Sequence, residues 1–135
     1  MILKFKTDSI PMNYLVITGK DRTKEIVTKE IYKFMSALSK EEKKLAVEDV
    51  FSYEDPKGLC YRNCGYTVLL LPDESDEINF LSTLSHEVTH ATQFTFQRYD
   101  TPLEKSTTEI YAYYYQTVFT TIIKEVWKRK SILSK

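Results

Sequence analysis

Apolar positions first fall into two short β-prone runs, residues 2–6 and 14–18, separated by Asp8, Ser9, Pro11 and Asn13. Gly19-Lys20-Asp21 reads as a turn with Asp21 as a candidate N-cap. After it Ile26, Val27, Ile31, Phe34, Met35 and Leu38 share one face of a helix over roughly 22–38. Ser39 and Glu42 have capping-box spacing and open a short, charged helix over roughly 40–50.

The pattern changes after residue 50. Asp55-Pro56-Lys57-Gly58 is a turn signal, and Gly58-Leu59-Cys60-Tyr61-Arg62 can run extended. Asn63-Cys64-Gly65 reverses the chain into Tyr66-Thr67-Val68-Leu69-Leu70-Leu71, the strongest strand signal, stopped by Pro72; together they predict a β-hairpin. Asp73, Ser75 and Asp76 then offer helix caps, and Ile78, Leu81, Leu84, Val88 and Ala91 form an apolar stripe on a helix from about 76 to 97. Thr101-Pro102-Leu103-Glu104 has the form of a capping box with proline at the first helical position, opening a last helix that reaches about Lys130. Ser106 and Glu109 have the same spacing and mark a later start.

A chain of 135 residues suits one domain, residues 1–135, with a single core. Nineteen Lys and Arg balance nineteen Asp and Glu, which argues against a nucleic-acid binder held by phosphate neutralisation. The longest apolar stretch, Val68 to Leu71, is far short of a membrane span, and the first residues lack a secretory signal. The expectation is a cytoplasmic protein, monomeric by default. Cys60 and Cys64 are too few for a disulfide scaffold and read as free thiols.

The chemistry concentrates in His86-Glu87-Val88-Thr89-His90. Side chains four apart on a helix project from one face, so two imidazoles can aim at one point and bind zinc. Glu87 sits beside them, poorly placed to ligate but able to take a proton from a water that the metal has acidified. Both histidines lie off the apolar stripe. A catalytic zinc keeps three protein ligands, and no histidine remains for the third. Glu109, nineteen residues after His90, is the best candidate, with Glu104 and Asp100 as rivals.

His86-Glu87-Val88-Thr89-His90-Ala91, followed at this interval by a glutamate on the next helix, resembles the gluzincin metallopeptidases. The short length is similar to minimal single-domain gluzincins and to small metallopeptidase-like proteins of phages and mobile elements. The resemblance implies an edge strand that binds substrate backbone in extended form, here Leu59-Cys60-Tyr61. Two departures stand out. The family's Asp, four residues after the glutamate ligand, is Tyr113 here, and the oxyanion donor from a further subdomain has no counterpart. Tyr111, Tyr113 and Arg98 are substitutes for the oxyanion donor or for the group that orients a histidine. The tyrosines from 111 to 115 otherwise read as core and rim packing.

These readings combine into an α+β, minimal zincin-like domain: a small mixed β-sheet, a supporting helix, an active-site helix and a glutamate helix. The expected function is zinc-dependent hydrolysis of peptide bonds in a peptide or protein substrate, with His86, His90 and Glu109 as ligands and Glu87 as general base. The alternatives are a protein-binding module that keeps the scaffold without proteolysis, and a regulatory protease of a mobile element with one substrate.

Overall fold

The computed structural model describes residues 1–53 and 57–133, with side chains as far as residue 130. Asp55 and Pro56 of the expected turn lie outside the described residues. The fold is α+β, with strands β1 (Ile2–Lys6), β2 (Asn13–Thr18), β3 (Leu59–Asn63) and β4 (Tyr66–Leu71). The helices are α1 (Lys24–Phe34), α2 (Lys40–Val50), α3 (Glu77–Arg98) and α4 (Thr108–Leu133). The strands form one mixed sheet in the order β1-β2-β4-β3. β1 and β2 are antiparallel, β2 and β4 parallel, and β3 is an antiparallel edge strand with Cys60 opposite Leu69.

Alternation along the central strands divides the core between the two faces of the sheet. Leu15, Ile17, Val68 and Leu70 pack with Val27, Ile31 and Met35 of α1 and its C-cap, and with Ala46 and Val50 of α2. Tyr14, Val16, Leu69 and Leu71 pack on the other face with Phe80, Leu84, Val88 and Ala91 of α3 and Tyr114, Val118 and Ile122 of α4. Because side chains alternate across the pleat, Leu59 and Tyr61 join the α1–α2 side while Cys60 joins the α3–α4 side. The edge strand therefore turns one set of side chains toward the motif helix.

Local chemistry accounts for the helix ends. The Ser39–Glu42 capping box forms in both directions, each bond 3.2 Å. The cap of α1 is Thr23, whose hydroxyl accepts from Ile26 N, in place of Asp21, whose carboxylate holds the Met1 amino group at 2.6 Å. That helix leaves its spiral at Met35, short of residue 38, where the Ala37 amide donates to the Tyr66 hydroxyl. Asp76 caps α3 without a side-chain bond, while Asp73 closes a turn by accepting from Ser75 N at 2.8 Å. Ile78 and Leu81, expected on the buried stripe, are exposed. Phe80 takes their place in the core, two residues on from Ile78.

The last helix begins at the later of the two expected starts. Thr107 O accepts from Tyr111 N, while the Thr107 hydroxyl donates to Pro102 O and accepts from Glu104 N. Residues 104–107 thus form a hydrogen-bonded turn, and Ser106 donates to Glu104 rather than capping with Glu109. Among the described residues no helix is long and apolar enough to cross a membrane.

Candidate metal centre

Helix α3 carries the motif near its middle, with Leu84, Val88, Ala91 and Thr95 turned into the core. That leaves His86 largely exposed and His90 half-buried, one turn apart. Their rings meet edge to face with centroids 4.8 Å apart, and their Nε2 atoms are separated by 3.2 Å. Two nitrogens bound tetrahedrally to one zinc at ordinary bond lengths lie about 3.3 Å apart. The separation of the two nitrogens thus matches that of two ligands on such an ion.

Glu87 is 5% exposed, although it is one residue from an exposed histidine. Its Oε1 lies 3.8 Å from His86 Nε2. Burial raises its pKa, and the two histidines oppose that shift. A carboxylate held partly out of water beside two imidazoles has the character of a base poised for proton transfer.

Edge strand β3 flanks this arrangement. A Cβ built on Gly58, which directly precedes β3, comes within 2.4 Å of the Thr83 methyl and 3.1 Å of Glu87 Cγ. Glycine is thus required for the strand to approach the base so closely. Cys60 is half-buried, and its thiol pKa is raised by burial and then by the charge of Glu87. Arg62 places its guanidinium 4.5 Å from the centre of the Phe94 ring and donates to Phe94 O at 3.4 Å. Phe94 in turn stacks on His90 at 6.0 Å. Leu59, Cys60 and Tyr61 all lie on this open-edged strand, with Leu59 and Tyr61 turned to the far side of the sheet.

Helix α4 lies along the other flank of α3. Ser85 bonds to the Tyr115 hydroxyl at 2.8 Å, Thr95 to the Tyr114 hydroxyl at 3.1 Å, and Phe96 stacks on Tyr111. At about 100° per residue, the contacts to α4 and those to β3 fall on different sides of α3, and His90 points toward the β3 side. Glu109 is exposed in the first turn of α4. Among the described residues no group of three or more His, Cys, Asp or Glu stands close enough to hold a metal ion. The rival Asp100 ends α3 in the left-handed conformation, at φ 53°, and Glu104 is engaged by Ser106.

The other candidates have separate partners. Tyr111 donates to Thr101 O, Tyr113 is exposed, and the Arg98 guanidinium lies 5.9 Å from the centre of the Tyr99 ring. Among the described residues none of the three hydrogen-bonds to or stacks on His86 or His90. Gly58, Arg62, Gln93 and Phe94 surround the site without having been singled out by motif. The last two were within reach, since positions three and four after His90 share its face. A cleft of about 660 Å³ beyond His90 is lined by Gln93, Phe96, Gln97, Leu103 and Tyr111, among others. Compared with known proteins, the chain matches no family model, no curated protein and no solved structure.

Proposed function

We propose that this chain is a zinc-dependent hydrolase of peptide bonds. The observation that carries this reading is the 3.2 Å separation of the His86 and His90 Nε2 atoms beside the buried carboxylate of Glu87. A bound zinc ion supplies a Lewis acid that acidifies water and polarises a carbonyl. Glu87 accepts the proton released as water attacks and delivers it to the departing amine. Its neighbours on β3 keep bulk water from its stem, and the open edge of β3 offers main-chain groups to an extended peptide. His86 and His90 are the ligands from α3. Glu109 remains the third-ligand candidate, and for it to serve, the first turn of α4 must approach the histidines.

Metal analysis of the purified protein with Glu87→Gln and Glu109→Ala variants, beside cleavage of unfolded casein, tests the reading. Zinc retained by wild type and Glu87→Gln, with cleavage by wild type alone, is expected. Loss of zinc in Glu109→Ala supports the third ligand, and unchanged zinc removes it. Wild type that takes up no zinc overturns the proposal, as does cleavage that survives Glu87→Gln. Zinc uptake with no cleavage by either protein favours the binding module that retains the scaffold.

A further inference from the structure

The hydrogen bonds of His90 give a role to a side chain three residues downstream. His90 Nδ1 stands 3.2 Å from Gln93 Oε1, and its Nε2 stands 3.2 Å from His86 Nε2. A neutral imidazole has one N–H and one lone pair, whereas an amide oxygen only accepts. With Gln93 Oε1 as the acceptor, this contact is a hydrogen bond in the Nδ1–H form of His90, which turns the Nε2 lone pair toward His86. The N–H between the two rings then belongs to His86 Nε2. His86 Nδ1 has no hydrogen-bond partner among the described residues, so nothing there holds the other tautomer in place.

A second constraint acts on the plane of the same ring. Phe94 lies nearly parallel to His90, at 18°, and is itself covered by Arg62 from β3. One residue fixes where the proton sits, and the next fixes how the ring is turned. Both come from the same turn of α3, so neither depends on a distant loop.

We propose that Gln93 is a positioning residue that locks His90 in the Nδ1–H form and presents Nε2 to a divalent cation. The inference rests on the reading of His86 and His90 as metal ligands. It takes the place of the orienting carboxylate that Tyr113 does not supply, using a neutral amide on the motif helix itself. On ion binding His90 keeps its proton where it is. His86 alone rearranges, giving up the proton on Nε2 while solvent supplies one to Nδ1, with no net change in charge. A partner of this kind commonly changes metal affinity by about 10–100-fold.

The test uses ¹⁵N-labelled, metal-free protein at pH about 9, above the imidazole range, and reads the ring nitrogens of both histidines by NMR. The samples are wild type, Gln93→Leu and Gln93→Glu. Zinc affinity is measured separately by competition with a chromophoric chelator. Wild type is expected to show His90 with its proton on Nδ1. Gln93→Leu mixes the two forms and weakens zinc binding about 10–100-fold, and Gln93→Glu restores both readouts. Gln93 is exposed, so thermal melts of the variants should overlay wild type. A wild-type His90 protonated on Nε2, or a Gln93→Leu protein with unchanged tautomer and unchanged zinc affinity, overturns the inference and leaves the hydrolase reading intact. The expected tautomers in a protein that takes up no zinc sink the hydrolase reading but leave the hold of Gln93 on His90 standing.

Discussion

The two faces of the sheet differ in size, with sixteen buried apolar residues on the α3–α4 side against nine on the α1–α2 side, and they differ in what else they bury. Against α1 and α2 the packing is aliphatic, from Leu15 and Ile17 through Val27 and Ile31 to Val50. Against α3 and α4 it also encloses polar groups: the hydroxyls of Tyr14, Tyr114 and Thr95 form a buried chain, and Glu87 of α3 is buried as well. Burial raises the pKa of both tyrosines, so they stay neutral and serve as hydrogen-bond partners. Buried polar groups are costly unless satisfied, so their concentration on one face marks where stability has been set against another demand. The aliphatic face is support, and the polar face carries the candidate site.

Substitutions on each face should separate these roles. The largest effect is expected from Glu87→Gln, which should lower peptide hydrolysis by about 10²–10⁴-fold, or about 3–5 kcal/mol in barrier. Because charge at this buried position is unfavourable, its melting temperature should equal or exceed that of wild type. Ile31→Ala on the opposite face should do the reverse. It removes about 2–5 kcal/mol of stability in urea titration while zinc affinity per folded molecule is unchanged. Gly58→Ala joins the two effects, since the added methyl must push β3 away from Thr83 and Glu87. It should cost about 1–3 kcal/mol and slow hydrolysis, read by denaturation and turnover together. Tyr114→Phe removes one hydroxyl from the buried chain and should cost about 1 kcal/mol, with His86 and His90 NMR signals unmoved. If Ile31→Ala shifts those signals as strongly as Gln93→Leu, the division between the two faces does not hold.

Much of this architecture was legible where a local rule acts alone. The reversal at Asn63-Cys64-Gly65 and the β-prone run ended by Pro72 placed the hairpin of β3 and β4, and the serine and glutamate at 39 and 42 placed the start of α2. Local rules failed where two of them compete. Asp21 has the chemistry of a cap but is drawn to the Met1 amine, and Ile78 has the spacing of the stripe but stays exposed while Phe80 is buried. In the candidate site, the one-turn spacing of His86 and His90 sufficed to bring their nitrogens together, because helix geometry dictates it. Glu109 depends instead on residues 99–107 and on how Tyr111 and Tyr114 seat α4 against Phe96 and Thr95. No interval along a chain encodes how the next helix will be seated.

Imidazoles, carboxylate and orienting amide all fall within positions 86–93, eight consecutive residues on one helix. Such a cassette keeps its internal alignment when the surrounding scaffold drifts, because the only spring connecting its parts is the helix backbone. Lengthening or shortening the connection before α4 should alter what reaches the site while leaving the cassette itself in tune.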